Sequence, residues 1–278
     1  MGTMLRAFLL LLLGLVATAP AGAQPSQPAT GYLYLTAQFS GDNKVIGSGL
    51  TWRIFSESGA GEAEQPVATS KEPAPSFQLE QGAYIVHVAY GMAGAVKRVS
   101  VGTRDVNERI VLSAGALKLA AAIGQTSLPV AQMQFTVYAP LPNNSEGRLV
   151  AQNVKSGEIL RLPEGVYHVV SNYGDTNSIM RSDLKVESGK ITEATMNHRA
   201  ATVTLKLVSN PGGEALAGTA FSVLTPGGDI IREAIGAFPS MILAEGEYVV
   251  IARHQGKVYQ RPFKVDSGLD RDIEVLAR

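Results

Sequence analysis

The stretch LPEGVYHV at residues 162–169 occurs three times in the chain in closely similar form. The other two copies are LEQGAYIV at residues 79–86 and LAEGEYVV at residues 243–250. Successive copies are 83 and 81 residues apart, and self-similarity at a fixed period indicates tandem structural repeats. We therefore expect three copies of one module. The positions that mark them are Gly82, Gly165 and Gly246, each followed two residues later by Tyr84, Tyr167 or Tyr248.

Alternating apolar residues surround each copy of this stretch. Upstream lie LTWRIF at 50–55, MQFTVY at 133–138 and TAFSVL at 219–224, in which Trp52, Phe135 and Phe221 occupy matching positions. Alternation over four to eight residues, interrupted by turn residues, is typical of half-buried strands. The Ala-rich stretch 116–123 is assigned to a strand as well, because its counterparts are rich in Thr, Val and Tyr. Six or seven such strands per repeat predict a small β-sandwich, with the three aromatic residues in its core.

The repeat divides the chain into consecutive units. We place a linker at residues 24–30, module 1 at 31–114, module 2 at 115–200 and module 3 at 201–278. The joins at 112–117 and 197–201 are short. Short joins favour a row of modules with limited flexing.

The repeated stretch resembles the Leu-Pro-x-Gly-x-Tyr-x-Val pattern of transthyretin-like (prealbumin-like) sandwiches, which include carboxypeptidase regulatory-like domains and the B-type repeats of bacterial collagen adhesins. The resemblance implies an all-β chain of three tandem transthyretin- or immunoglobulin-like antiparallel β-sandwich modules. On the residues themselves, the glycine permits a tight turn into the strand, and the tyrosine buries its ring while its hydroxyl forms a hydrogen bond.

The same resemblance raises the question of an internal covalent bond. In the adhesin repeats a first-strand Lys can bond to a last-strand Asn, helped by an acid four residues after the motif tyrosine. Here those acid positions are Val88, Ser171 and Ala252. We therefore predict no isopeptide bond within a module.

The N-terminus has the pattern of a secretory signal peptide at residues 1–23. Arg6 precedes an apolar run from Ala7 to Val16, and small residues end at Ala23, the expected cleavage site. A retained membrane anchor is the less favoured alternative, because the run is short for a bilayer and no other segment could span one. The chain contains no cysteine, so disulfides cannot stabilise the modules. We expect a bacterial protein that is periplasmic or secreted.

Composition and motifs argue against catalysis and against nucleic-acid binding. After cleavage the chain would carry 23 basic and 24 acidic residues, a net charge of −1, so a nucleic-acid partner is not expected. No nucleophile elbow, zinc-binding helix or phosphate-binding loop occurs in the sequence. The four histidines, His87, His168, His198 and His254, are not at one repeated position, and we expect them to be solvated surface residues. We predict no enzyme activity, no catalytic residue, no metal site and no cofactor.

One set of residues is a candidate binding rim. Tyr90 and Tyr173 each follow the motif tyrosine by six residues, and His254 takes that place in module 3. These residues lie at a strand end beside a loop, where sandwich domains commonly bind ligands.

The leading hypothesis is an exported, non-catalytic envelope protein that acts as a spacer and an array of protein-interaction modules. The alternative is a carbohydrate- or peptidoglycan-binding protein that uses these strand-end aromatic residues. The partner is thus an envelope protein or a polysaccharide. An exposed strip of Tyr would favour sugars, whereas an apolar edge strand would favour a protein partner.

Overall fold

The computed structural model describes residues 29–41, 43–57, 65–142 and 144–278, with the backbone alone at 144–146. The predicted signal peptide and all but the last two residues of the predicted linker lie outside these ranges. Within them the structure is almost entirely β, with a single 3₁₀ turn at Val130–Gln132. The predicted all-β fold is confirmed. The described ranges contain no helix long and apolar enough to cross a membrane.

The strands follow the three repeats. Module 1 contains β1 (Thr30–Phe39), β2 (Leu50–Ser56), β3 (Ala68–Ser70), β4 (Ser76–Glu80), β5 (Gly82–Tyr90), β6 (Ala93–Val101) and β7 (Val106–Leu112). Module 2 contains β8 (Ala114–Ile123), β9 (Thr126–Ser127), β10 (Met133–Leu141), β11 (Asn144–Val154), β12 (Ile159–Pro163), β13 (Gly165–Tyr173), β14 (Ser178–Val186) and β15 (Ile191–Asn197). Module 3 contains β16 (Ala200–Val208), β17 (Thr219–Leu224), β18 (Ile230–Gly236), β19 (Ser240–Ala244), β20 (Gly246–His254), β21 (Lys257–Val265) and β22 (Arg271–Leu276). The exact module boundaries stay a prediction.

Each module has a three-stranded and a four-stranded sheet with the same strand order. In module 1 these are β4-β1-β7 and β3-β2-β5-β6, in module 2 β12-β8-β15 and β11-β10-β13-β14, and in module 3 β19-β16-β22 and β18-β17-β20-β21. The first and last strands of each module pair in parallel, and the other pairs are antiparallel. Because the first and last strands run in the same direction, the chain enters a module at one end and leaves it at the other. This connection suits modules that follow one another lengthwise.

The core of each module lies between its two sheets. Trp52, Phe135 and Phe221 are at most 1% exposed, which confirms the core packing predicted for these matching positions. The indole nitrogen of Trp52 also donates a hydrogen bond to the Glu72 carbonyl oxygen at 3.0 Å. The Ala-rich stretch of module 2 is a strand, as predicted, because β8 pairs with both β12 and β15.

Candidate functional site

The repeated tyrosine closes a corner in each module. Its hydroxyl donates to the carbonyl oxygen four residues earlier: Tyr84 to Glu80 at 2.9 Å, Tyr167 to Pro163 at 2.9 Å and Tyr248 to Ala244 at 2.8 Å. This is the hydrogen bond expected from the sequence, and it has the form of the tyrosine corner of sandwich domains. Burial raises the pKa of Tyr84 and Tyr167, with a further contribution from Glu80 at Tyr84. The hydroxyls of Tyr84 and Tyr167 therefore remain protonated, and able to donate, at neutral pH.

The repeated glycine does not adopt a strained backbone conformation. Gly82, Gly165 and Gly246 are not among the residues with left-handed backbone angles. A methyl group built on each would meet the tyrosine ring at 3.7 or 3.8 Å, an ordinary contact distance. The tyrosine ring therefore lies over the glycine, with room for a methyl group. The backbone angles give no support to the tight turn expected at this residue.

Tyr90 lies at the joint between modules 1 and 2. Its ring is half-buried, meets Phe39 edge-on at 5.5 Å, and lies beneath the guanidinium of Arg161 from module 2 at 5.1 Å. The Met92 N–H donates to the Arg161 carbonyl oxygen at 3.1 Å. The turn after β5 is thereby docked on β12 of the next module.

Gly91 makes this close approach feasible. It has a left-handed φ of +62°, and a Cβ there would lie 2.5 Å from the Arg161 Cβ and 2.9 Å from its carbonyl oxygen. Real Cβ atoms do not approach so closely, so the turn can dock only with glycine at this position.

A chain of hydroxyl groups ties modules 1 and 2 together at a second place. Ser113 Oγ donates to Ser40 Oγ at 3.2 Å, Ser40 Oγ donates to Ser188 Oγ at 2.9 Å, and Ser188 Oγ donates to the Leu112 carbonyl oxygen at 3.3 Å. Ser188 comes from the loop after β14 of module 2. Modules 1 and 2 are therefore connected by hydrogen bonds at two separate places, the turn at Gly91 and this chain of serine hydroxyls.

Modules 2 and 3 meet in the same way, with an apolar residue in the place of Arg161. Gly174, which corresponds to Gly91, has a φ of +72°, and a Cβ there would lie 3.0 Å from Ile242 Cδ1. Ile242, which corresponds to Arg161, is 7% exposed and packs within the core of module 2. Tyr173 is only 7% exposed, with an edge-on contact to His198 at 5.9 Å. Burial raises its pKa, Asp270 of module 3 raises it further, and a hydrogen bond with Thr202 of module 3 opposes this shift.

Asn177 connects this joint to the tyrosine corner of module 3. Its side-chain nitrogen donates to Tyr248 Oη at 2.8 Å, and its side-chain oxygen accepts from the Ala244 N–H at 2.9 Å. Asp175 adds an ion pair with Arg232 of module 3 at 2.8 Å, and Thr176 Oγ1 donates to the Ile242 carbonyl oxygen. Grooves of about 480 and 500 Å³ flank the joint.

The candidate rim of Tyr90, Tyr173 and His254 is therefore not an open row of rings. Tyr90 and Tyr173 lie in the two joints, and the half-buried His254 lies within 3.2 Å of Thr219 Oγ1 within module 3. In module 3, Gln255 with a φ of +48° stands where the other turns have Gly91 and Gly174. A Cβ at this position would clash in the geometry of the first joint, where it would lie 2.5 Å from the facing Cβ. A ligand-binding role of the three residues stays a prediction.

The histidines were expected on the surface, and for His198 this is wrong. His198 is 1% exposed, with Nε2 at 2.8 Å from Ser171 Oγ and Nδ1 at 2.9 Å from Ser178 Oγ. Burial lowers its pKa, so the ring is neutral at neutral pH. The two serines thus hold the His198 ring where the chain leaves module 2 and enters module 3. The sequence around position 198 does not indicate that this histidine is buried.

The other histidines form no shared site. His87 and His168 are half-buried on the outer face of their strands, and His168 Nδ1 lies 2.8 Å from Asp183 Oδ1. In the part of the chain that the structure describes, no group of His, Asp and Glu could hold a metal ion.

Two groups of exposed apolar or aromatic side chains lie away from the joints. On and beside β18, an edge strand of module 3, Ile235 is 79% and Phe238 61% exposed. On β1 of module 1, Tyr32 and Tyr34 are 43% and 40% exposed. These two tyrosines are not among the predicted binding residues, although their alternation with Leu33 and Leu35 indicates that they face outward.

Comparison with known proteins adds a family match within module 3. The family model of the Rhizobiales growth-associated tandem repeat domain matches residues 202–277. Comparison with curated protein sequences gives no match.

Several solved structures are similar at low identity. The TIE protein of Bacillus anthracis is 18% identical, with 90% of this chain and 50% of that chain covered and a TM-score of 0.28. The major pilin subunit of Bacillus cereus is 13% identical, with 90% and 100% covered and a TM-score of 0.25. The minor pilin of Streptococcus agalactiae is 13% identical, with 60% and 95% covered and a TM-score of 0.30. The chain thus spans half the length of the Bacillus anthracis protein.

Proposed function

We propose that this chain is an exported, non-catalytic envelope protein whose three transthyretin-like modules act as a spacer and present surfaces to a protein partner. One observation carries the proposal: at both joints a glycine-containing turn of one module is docked on a strand of the next. A flexible tether would not need such contacts, whereas a spacer that holds a fixed distance does.

The contacts at the two joints restrict bending between neighbouring modules. At the first joint a backbone hydrogen bond, the Arg161–Tyr90 contact and a chain of serine hydroxyls act together. At the second, Ile242 is buried against module 2 and Asn177 makes two hydrogen bonds to module 3. Hydrogen bonds and apolar contacts that act at separated points resist rotation about the connecting chain.

Distance measurements between spin labels test the spacer. The chain contains no cysteine, so single cysteines can be introduced at the exposed positions Ser100, Gln152 and Gln260, one in each module. We expect narrow distance distributions for both neighbouring pairs. Broad distributions, as for domains on a flexible linker, would contradict a spacer of fixed length.

The exposed apolar residues of module 3 support a protein partner. Large exposed apolar side chains beside an edge strand favour strand addition or apolar docking by another protein. The strand-end sugar site is less well supported, because the ring of Tyr173 is buried and Tyr90 is covered by Arg161.

Export forms part of the proposal and rests on residues 1–23. We expect cleavage after Ala23, which makes Gln24 the first residue of the mature protein, and a periplasmic or secreted location. Intact mass measurement of the protein from the envelope fraction checks this. A chain that keeps Met1 would contradict it.

A further inference from the structure

Tyr32 and Tyr34 form an exposed aromatic pair on module 1. Their ring centroids are 6.1 Å apart and their planes are inclined by 24°. Between and beyond them, Leu33 and Leu35 are at most 1% exposed and point into the core. The two rings therefore lie on the outer face of the sheet β4-β1-β7, on its central strand.

Polar side chains surround the pair on both neighbouring strands. On β4, Gln78 is paired with Tyr32 and Ser76 with Tyr34, and on β7 Asn107 is paired with Tyr34. All three are exposed. Their amide and hydroxyl groups both donate and accept hydrogen bonds.

The fold itself does not require the aromatic pair. By strand register, Ala116 and Lys118 take these positions in module 2, and Thr202 and Thr204 take them in module 3. Ala116 is buried, and Thr202 contacts Tyr173 of the preceding module. The sandwich therefore forms with small or polar residues there. Two exposed rings that are confined to one module are better explained by a ligand than by packing.

We propose that this face of module 1 binds an uncharged, extended polysaccharide. The apolar C–H faces of successive pyranose rings would lie against Tyr32 and Tyr34, and sugar hydroxyls would exchange hydrogen bonds with Gln78, Ser76 and Asn107. Tyrosine suits such a ligand, because its ring is apolar and its hydroxyl remains in water. A second copy of the chain is the alternative occupant, because the matching face of modules 2 and 3 receives the turn of the preceding module at Arg161 and Ile242. The dilution measurement described below distinguishes the two.

An NMR titration of the full chain with chitohexaose and cellohexaose tests the proposal. We expect shifts confined to β1, β4 and β7 with at least one of the two sugars, at a weak affinity of about millimolar Kd. The double variant Tyr32→Thr/Tyr34→Thr carries the residues of module 3 and should retain the fold, since Thr suits a strand. It should weaken binding by at least about tenfold. The matched control Tyr138→Thr, on the outer face of module 2, should bind as the unsubstituted chain does.

Three results would overturn the proposal. The first is the absence of shifts with both sugars, and the second is shifts that persist in the double variant. The third is a change in the signals of β1 on dilution without sugar, which would assign the face to self-association. None of these results affects the spacer proposal, which depends on the joints and not on this face.

Discussion

Replacing Gly91 by Ala should open the joint between modules 1 and 2 without unfolding either module. The added methyl would lie 2.5 Å from the Arg161 Cβ, whereas carbon atoms in contact are about 3.5–4.0 Å apart. The facing segments must therefore separate by about 1 Å. Neither contacting atom of Arg161 is the end of a flexible side chain, so rotation of that side chain cannot relieve the clash.

The free-energy cost of Gly91→Ala has two contributions, backbone strain within module 1 and lost contacts at the joint. A left-handed conformation for Ala costs about 1–2 kcal/mol, and this acts within module 1. Separation by about 1 Å would lengthen the 3.1 Å bond from the Met92 N–H beyond hydrogen-bond length, a loss of about 0.5–1.5 kcal/mol. The weakened Arg161–Tyr90 contact adds about 0.5–1 kcal/mol. The joint therefore loses about 1–2.5 kcal/mol beyond the backbone strain.

Gly157→Ala is the matched control. Gly157 has a φ of +83° and no atom within 4 Å of the position of a Cβ, so this variant incurs the backbone strain alone. The assay is the distance distribution between labels at Ser100 and Gln152, which should broaden in Gly91→Ala and stay narrow in Gly157→Ala. Trp52 is the single tryptophan of the chain, and its unchanged emission would show that module 1 is still folded. A distribution equally narrow in both variants would refute the docking argument.

Three further outcomes are expected. Tyr248→Phe should cost about 2 kcal/mol and Tyr167→Phe about 1 kcal/mol, because only Tyr248 also bonds Asn177; equal losses in urea unfolding would contradict this. Burial lowers the pKa of His198, so the unfolded chain binds its proton more readily, and stability should fall as the pH drops below about 6.5. His198→Gln should reduce that loss and His168→Gln should not, as measured by thermal unfolding across pH. Trp52→Ala should cost about 3–5 kcal/mol, whereas Trp52→Phe should cost clearly less, since Phe135 and Phe221 fill the same position; circular dichroism during urea unfolding measures both.

Sequence alone predicted the parts of the fold that recur. Three copies of the same Gly-x-Tyr stretch align the three repeats with one another. This alignment predicted the burial of Trp52 and the hydrogen bond of the Tyr84 hydroxyl. Local alternation determines which face of a strand is buried. Comparison between repeats also identified the Ala-rich β8 as a strand, against its composition.

The features that sequence missed depend on contacts between modules or on exposure. Arg161 and Ile242 occupy one position of the repeat but differ in chemistry, so the pattern did not identify them as joint residues. His198 follows a strand in a polar segment, and only the fold brings Ser171 and Ser178 to its two ring nitrogens. Tyr32 and Tyr34 alternate with buried leucines as any half-buried strand does, so the sequence pattern does not distinguish them as binding residues.

Ile242 belongs to the third sequence repeat but is buried in the core of module 2. The segment that folds as module 2 therefore does not coincide with the second sequence repeat. A fragment that ends at residue 200 would retain every strand of module 2 and lose the side chain that closes one end of its core. Such a fragment should be less stable, and more prone to aggregation, than the same strands within the full chain. Insertion or deletion of a whole repeat would therefore alter the interior of its neighbour as well as the length of the protein.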